Sequence, residues 1–279
     1  MSVQTEAATG PATETRGDAA FFEISGDRYI ARSHARSPWD PGLVHGRLLA
    51  GLMARSVELD SPEPDLHPSR MTIDLFRPIP MEPITITTTR RREGRRLRVV
   101  EATATVGSVP VGWASTLFLV RSKHPDAHPW SPELWPAPAP HSLPEPHKAA
   151  PPRFGELRRA ETTSATGSKF VWFRETRDLV AGESSSPFTL AAAAADWVSP
   201  LANAAEGGLA FINADISLYL SRLPRSSWIG FETTGHDGAD GIAVSTCSLY
   251  DVDGRIGFAA AAAMTYPQDQ PHTEREQKR

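Results

Sequence analysis

The two halves of the chain repeat one another in sequence, and this repeat constrains the fold more than any other feature. Residues 72–119 align with residues 216–264 at an offset of 144 to 145. The matching positions are Pro80 with Pro224, Gly94 with Gly238, and Gly112-Trp113-Ala114 with Gly257-Phe258-Ala259. Such self-similarity indicates one structural unit folded twice.

Both halves contain the same predicted elements in the same order: a short extended piece, a long helix and four strands. β-branched residues support the strands, as in ITITTT at 84–89, and REGRR and DVDG are typical of tight hairpin turns. In the first half the extended piece is 27–36, the helix is 43–58, and the strands are 71–77, 84–90, 97–106 and 109–120. In the second half the extended piece is 168–177, the helix is 188–203, and the strands are 212–220, 228–234, 242–250 and 255–266. This order predicts an α+β fold with antiparallel sheet.

A proline-rich segment separates the halves. Residues 122–152 contain ten of the 25 prolines of the chain, a density that excludes helix and interior strand. We expect a disordered tail at 1–18, the first repeat at 19–121, this linker at 122–152, the second repeat at 153–267 and a polar tail at 268–279. The linker histidines at 124, 128, 141 and 147 suggest either a metal-binding tract or a solvated connector. The connector is favoured, because no carboxylate or cysteine pattern accompanies them.

Bulk properties exclude several classes of function. A net charge of −4 and a pI near 6.1 give no electrostatic basis for binding nucleic acid. Cys247 is the single cysteine, so neither an intrachain disulfide nor a C-x-x-C metal site can form. The N-terminal residues lack the apolar region of a secretory signal, and no apolar run of about 18 residues occurs. We therefore expect a cytoplasmic protein without a membrane span.

Four short motifs occur in order and carry a family resemblance. They are WDPGLVHG at 39–46, LFRPIP at 75–80, the EGRR hairpin followed by GWASTLFLV at 112–120, and LYDVDGRIG at 249–257. In this combination the chain resembles the type II acyl-CoA thioesterases of the thioesterase-like superfamily. The resemblance implies a tandem double hotdog, in which a curled antiparallel sheet wraps a long helix in each half. It also implies an acyl-CoA substrate, a place in lipid metabolism, and no cofactor besides the CoA of the substrate.

His45 and Gly46 stand where the first predicted helix begins. A helix N-terminus presents unpaired N–H groups and a partial positive charge, which suit the oxyanion of a thioester under attack. Gly46 has no Cβ to hinder that approach, and His45 would orient the substrate or supply a second donor. The alternative is structural, with Asp40 or His45 capping the helix and Gly46 allowing close packing.

The family resemblance implies further catalytic residues in the second half: an Asp, a Thr or Ser, and a Gln that together hold the reacting water. Asp215 falls on the Asp position, with a surface acid as the alternative. Thr234 and His236 lie near the hydroxyl position; His236 would act as general base, or else is a hairpin residue. The Gln position falls on Ala262, which cannot orient water.

Arginines are the candidates for binding the CoA phosphates, because the guanidinium fork matches phosphate geometry. Arg95 and Arg96 belong to a dense cluster that also contains Arg90, Arg91, Arg92 and Arg98. Arg77, in the F-R-P motif, is a further candidate. A solvated hairpin tip is the alternative for the cluster.

These residues favour an enzyme that hydrolyses a fatty-acyl or related acyl-CoA thioester with activated water and no metal. A non-hydrolytic acyl-CoA binding protein is the alternative, and Ala262 favours it. A hydratase or dehydratase comes third, because SGDR at 25–28 begins the hotdog hydratase signature without its N-P-L-H continuation. The chain length of the substrate, the choice between CoA and carrier-protein thioesters, and the oligomeric state, a homo-oligomer included, stay open.

Overall fold

The fold is given by a computed structural model that describes residues 20–127, 129–130, 137–145, 155–160, 169–205 and 208–265. The predicted tails at 1–18 and 268–279 lie outside the described residues, as do the linker histidines 128 and 147. Within the described ranges, no helix has both the length and the apolar character needed to cross a bilayer.

The first half contains one long helix and eight strands. Helix α1 (Gly46–Asp60) presents Leu48, Leu49, Leu52 and Met53 to the core, in two rows at i+4 spacing. The strands are β1 (Phe22–Ser25), β2 (Arg28–Ala31), β3 (Leu43–Val44), β4 (Leu66–Leu75), β5 (Ile79–Pro80), β6 (Ile84–Glu93), β7 (Leu97–Val106) and β8 (Val109–Val120).

The described residues of the second half form two consecutive helices and nine strands. The helices are α2 (Pro187–Ala195) and α3 (Val198–Asn203), and alanines form most of α2. The strands are β9 (Glu156–Ala160), β10 (Phe170–Arg174), β11 (Ala204–Ala205), β12 (Gly208–Leu209), β13 (Phe211–Asn213), β14 (Asp215–Leu220), β15 (Trp228–Ala239), β16 (Ile242–Asp251) and β17 (Gly254–Thr265).

One antiparallel sheet joins the halves. Its strand order is β1-β2-β6-β7-β8-β4-β14-β17-β16-β15-β10-β9, and β13 pairs with β17. The order reads symmetrically outward from the β4–β14 pair, where Asp215 lies opposite Asp74. Strands β4, β8, β7 and β6 of the first half thus correspond to β14, β17, β16 and β15 of the second. The repeat seen in the sequence is therefore also a repeat of strand order.

The helices pack against one face of this sheet, which we call the helix face. It carries Met71 and Ile73 of β4 and Ile216 and Leu218 of β14, all fully buried. The opposite, outer face carries the alternate residues of each strand. Helices α1 and α2 lie antiparallel, because the start of each lies beside the end of the other. At Gly51 an added Cβ would lie 3.2 Å from the Cβ of Ala193, so the small residues permit this close packing.

The structure confirms most of the predicted elements and corrects several. The predicted strand at 212–220 is divided into β13 and β14, and the strand predicted at 71–77 spans residues 66–75. Strands 97–106 and 109–120 have the predicted bounds. The predicted helix at 188–203 is divided, because α2 ends before Asp196 and α3 begins at Val198. The predicted helix at 43–58 begins only at Gly46, since residues 43–44 pair with β5. The predicted extended piece at 27–36 contains only the short strand β2 and a 3₁₀ turn.

Part of the proline-rich linker packs on the outer face of the second half. Trp172 Nε1 donates a hydrogen bond of 2.8 Å to the carbonyl of Pro138, and Arg158 donates to the carbonyl of Pro140. The ring of His141 meets that of Trp228 edge to face. At these residues the linker is a surface covering, which accords with a connector.

Candidate active site

Three polar side chains from three distant segments meet at the N-terminus of α1. His45 precedes the helix, Asp196 lies between α2 and α3, and Asn213 ends β13. Asn213 Nδ2 donates a 3.0 Å hydrogen bond to Asp196 Oδ1, and the other carboxyl oxygen, Oδ2, lies 3.8 Å from His45 Nδ1. Because the latter distance exceeds that of a hydrogen bond, the histidine and the carboxyl face each other without being joined. These residues form the only constellation of a histidine and a carboxyl beside Gly46 in the described part of the chain.

His45 is the N-cap of α1 and is held neutral. Its Nδ1 accepts a hydrogen bond from the Arg47 backbone N–H at 3.3 Å, so the ring proton resides on Nε2. Burial, with a smaller contribution from the charge of Arg47, lowers the pKa of His45 to about 3. Of the two capping residues that the sequence left as alternatives, His45 is the one that caps α1, whereas Asp40 Oδ1 accepts the N–H of Gly42. A ring with this pKa remains uncharged at neutral pH and is a weak general base.

Asp196 is the buried carboxyl of this site. Its residue is 9 % exposed, and burial raises its pKa above the usual range, although the hydrogen bond from Asn213 and the charge of Arg47 act in the opposite direction. A carboxyl with a raised pKa, held by one oxygen and with the other directed toward a helix terminus, is suited to taking a proton from water.

A buried ion pair supports the first turn of α1. Arg47 Nη1 lies 2.6 Å from Glu175 Oε2, and the two side chains are only 3 % and 9 % exposed. The guanidinium also lies over the ring of Phe21, 5.0 Å from its centroid. The other oxygen of Glu175 accepts the backbone N–H groups of Thr176 and Arg177. This network fixes a positive charge beside His45 and Asp196.

Gly46 is the first residue of α1, so no carbonyl of the helix accepts its N–H. A Cβ at this position would lie 3.7 Å from Leu75 Cδ1, an ordinary van der Waals contact. Packing alone therefore does not require glycine here. The alternative that Gly46 serves close packing loses its support, whereas approach of a ligand to the N–H would still benefit from the missing side chain.

His236 lies on the same face of the sheet as this cluster. It pairs with Ser245, which in turn pairs with Ala261, and both of these are buried on the helix face. The His236 ring lies 5.8 Å from the ring of Phe211, two residues before Asn213 on β13. The imidazole is exposed, and its recorded ring contact is with Phe211 rather than with Asp196 or Asn213.

Thr234 lies on the outer face instead. A register shift between Thr233 and Gly235 changes the alternation of β15 at this point. Thr234 Oγ1 lies 3.0 Å from Thr246 Oγ1, and Thr246 alternates with the buried residues Ser245 and Cys247. Of the two candidates left open by the sequence, only His236 faces the helices.

Asp215 also lies on the outer face, where strand alternation places it with Ser217 and Tyr219. Its Oδ1 accepts the backbone N–H of Ala262 at 2.5 Å. The backbone of β17 thus supplies a hydrogen-bond donor to this carboxylate. The exposed Ala262 side chain lies on the outer face too, opposite the buried Ala261 and Ala263. Asp215 is therefore not brought together with His45.

The arginine candidates lie at opposite ends of the sheet. Arg77 is exposed just beyond β4, at the end where α1 begins, whereas Arg95 and Arg96 are exposed at the β6–β7 turn. At roughly 3.3 Å per strand residue, the two positions are about 30 Å apart. Within the described ranges Arg95 and Arg96 form no salt bridge, while Arg90, Arg91 and Arg98 are paired with acids. One CoA nucleotide cannot contact both positions.

Asp196 is the site residue that sequence reasoning missed. It interrupts the apolar segment FTLAAAAADWV, where it is the single charged residue, and this was the available signal. The sequence predicts one continuous helix over this segment, in which Asp196 has no special position. Among the described residues, no group of three or more His, Cys, Asp or Glu side chains is arranged to hold a metal ion.

Comparison with solved structures shows the fold. A tesB protein of Mycobacterium avium subspecies paratuberculosis is 18 % identical, with 88 % of this chain and 95 % of that chain covered and a TM-score of 0.64. An acyl-CoA thioesterase II, TesB2, of Mycobacterium marinum is 14 % identical, with coverage of 88 % and 96 % and a TM-score of 0.62. A hot dog fold protein of Alicyclobacillus acidocaldarius is 14 % identical, with coverage of 92 % and 99 % and a TM-score of 0.66.

Family profiles match nearly the whole described chain. The acyl-CoA thioesterase N-terminal domain matches residues 35–119, and the acyl-CoA thioesterase C-terminal domain matches residues 122–260. No curated protein matches the chain. Together the two profiles cover more than half of the sequence, and both halves of the repeat are included. The chain belongs to the acyl-CoA thioesterase family.

Proposed function

We propose that this protein is a tandem double hotdog that hydrolyses acyl-CoA thioesters at the N-terminus of α1. The observation that carries the proposal is the buried Asp196 carboxyl, with a raised pKa, 3.8 Å from the cap of a helix that begins with glycine. The symmetric strand order supports the double hotdog, with one helix layer on one face of the joined sheet. Family membership supports the acyl-CoA substrate.

The thioester carbonyl oxygen would lie at the Gly46 N–H. As the carbonyl carbon becomes tetrahedral, negative charge develops on that oxygen, and the N–H and the positive end of the helix stabilise it. The neutral His45 ring holds the terminus in place through its bond from the Arg47 N–H. The fixed charge of Arg47 adds to the positive potential there.

Asp196 would act as the general base. It takes a proton from water while the water oxygen forms a bond to the carbonyl carbon. The carbon–sulfur bond then breaks, and the proton passes to the leaving thiolate, so the products are a carboxylic acid and free CoA. Asn213 fixes one carboxyl oxygen and leaves the other directed toward the site. His236 lies at the open end of this face and would contact the water or the leaving group.

This assignment also bears on the alternative of a binding protein without turnover. Ala262 favours that alternative only if Asp215 holds the reacting water, because alanine then stands where the family has a glutamine amide to orient that water. The Ala262 side chain lies on the outer face, on the other side of the sheet from Asp196. A missing amide at that position therefore does not remove any group from the proposed site.

The exposed Arg77 lies at the same end of the sheet as the start of α1, and we propose it as the contact for the CoA phosphates. No resident metal or cofactor enters the proposed reaction.

The experiment that tests the function is thiol release from a panel of acyl-CoAs, from short to long, in water enriched in ¹⁸O. The proposal predicts free CoA together with one ¹⁸O atom in the carboxylic acid, since water attacks the acyl carbon. Binding of acyl-CoA without thiol release from any member of the panel would replace the enzyme with the binding protein.

A further inference from the structure

A second polar constellation lies at the far end of α1, beside a cavity of about 450 Å³. This volume lies in the range of pockets that hold small organic ligands. Leu66, Phe118, Val180 and Leu223 form an apolar part of the lining. Glu58 and the start of α2 form one polar part of the lining. The proposed catalytic cluster contributes no residue to this cavity.

The polar end is built around the Glu58 carboxyl. Glu58 Oε2 accepts hydrogen bonds from Ser186 Oγ and, at 3.2 Å, from Thr189 Oγ1. Ser186 is the N-cap of α2, and its Oγ also accepts the Thr189 N–H at 3.0 Å. Burial raises the pKa of Glu58, although the two hydroxyl donors lower it. A carboxyl thus lies against the N-terminus of α2, as Asp196 does against that of α1.

A buried hydroxyl in the same cavity lacks a partner. Ser61, which follows the last residue of α1, lines the cavity and is 6 % exposed. Its Oγ has no hydrogen-bond partner in the part of the chain that the structure describes. A buried hydroxyl without a partner is costly, and a ligand with an acceptor would satisfy it.

The two constellations are related by the internal repeat. Each consists of the N-cap of one long helix and a carboxyl from the end of the other: His45 with Asp196, and Ser186 with Glu58. Asp196 comes ten residues after Ser186, the N-cap of α2. Glu58 comes thirteen residues after His45, the N-cap of α1. The two spacings differ by about one helical turn. The antiparallel helices therefore present two sites, one at each end of the pair.

Basic groups lie at the mouth of the second site. Arg55 and Arg121 line the cavity together with the acids Glu63 and Glu183. Arg55 is held by Glu183 and Tyr29, and Arg121 donates to the carbonyl of Pro64. The β6–β7 turn with Arg95 and Arg96 lies at this end of the sheet. Leu97 pairs with Leu119, and Leu119 pairs with His67, whose neighbours Leu66 and Pro68 line the cavity. Because Arg55 is already paired with Glu183, the basic groups that suit a phosphate are Arg95 and Arg96, while the apolar lining suits an alkyl chain.

We propose that this cavity is a second binding site for the acyl group of an acyl-CoA. The alkyl chain lies against Phe118 and Leu223, the thioester carbonyl accepts from Ser61, and the phosphates lie toward Arg95 and Arg96. The inference shares with the proposed function only the class of ligand. It does not require that Asp196 catalyses hydrolysis, and it assigns no turnover to Glu58.

The test is a count of bound ligand by native mass spectrometry, with an S-dodecyl-CoA thioether that cannot be hydrolysed. We expect two ligands per chain for the wild type and for Asp196→Asn. Two separate variants that fill the cavity, Leu223→Trp and Ser185→Trp, should bind one. Val252→Trp, at an exposed turn outside the cavity, is the matched control and should bind two.

Thiol release is measured for the same variants, so the two proposals fail separately. If the cavity-filling variants release thiol at the wild-type rate but bind one ligand fewer, the second site lies in the cavity. One ligand per chain in the wild type overturns the inference, and so do two ligands in both filled variants. Absence of thiol release from the wild type would overturn the proposed function. The ligand count would still test the second site. Unfolding midpoints identify any variant that does not fold, and the other variant then decides.

Discussion

Asp196 Oδ2 lies 3.8 Å from His45 Nδ1, although the two residues belong to different halves of the repeat. Burial lowers the pKa of the histidine to about 3 and raises that of the carboxyl. Both shifts favour the uncharged forms, and they favour a proton on Asp196 over a proton on His45. The proposed base and the cap of the oxyanion-binding helix are therefore distinct groups with distinct tasks.

The burial of His45 makes stability depend on pH. In the unfolded chain the ring has a pKa near 6.5, whereas in the fold its pKa is about 3, so the unfolded state binds more protons between these values. The stability from this residue is thus lost as pH falls. From pH 7 to pH 5 the loss amounts to about 2 kcal/mol. Urea unfolding of the wild type and of His45→Gln over this range checks it; equal pH slopes would contradict the burial of a neutral ring.

The Arg47–Glu175 pair is expected to dominate the stability of the first turn of α1. Arg47→Met leaves Glu175 buried without its partner, which should cost about 3–5 kcal/mol in the free energy of unfolding. The double variant Arg47→Met, Glu175→Gln should recover most of the loss, because no charge is left unpaired. Arg91→Gln breaks a pair whose arginine is largely exposed, and as a control it should cost less than about 1 kcal/mol. Equal losses for Arg47→Met and Arg91→Gln would contradict the account.

Gly46→Ala separates packing from ligand approach. The new Cβ would lie 3.7 Å from Leu75 Cδ1 without a clash, so the unfolding midpoint should stay near that of the wild type. If the thioester carbonyl approaches this N–H, the methyl group displaces it, and thiol release should fall about 100-fold. Unchanged thiol release by the folded variant would show that the substrate does not approach Gly46.

Arg77→Gln tests the phosphate contact. The variant should raise KM for an acyl-CoA severalfold and leave KM for the corresponding acyl-N-acetylcysteamine unchanged, because the latter has no nucleotide. Arg96→Gln is the matched control, since this exposed arginine lies about 30 Å away along the sheet. A larger effect of Arg96→Gln on turnover would reverse the assignment of the two ends.

The repeat and most strands could be predicted from the sequence, because β-branched alternation and turn residues are local signals. Strands 97–106 and 109–120 show this most clearly. The face on which a strand residue lies depends on register and bulges, which is why Asp215 and Thr234 could not be assigned to the outer face beforehand. The break at Asp196 was hidden within an alanine-rich segment with high helix propensity. Its role depends on Asn213 and His45, both distant in sequence.

The measurement that tests the central claim most directly is thiol release by Asp196→Asn and Asp215→Asn side by side. Each change replaces a carboxylate with an amide of nearly the same size. The amide oxygen introduced by Asp215→Asn could still accept the Ala262 N–H. The account predicts a loss of about 10²–10⁴-fold for Asp196→Asn and a change within about one order of magnitude for Asp215→Asn. The reverse order, with Asp215→Asn inactive and Asp196→Asn active, would contradict the assignment of the base to the helix face of the sheet.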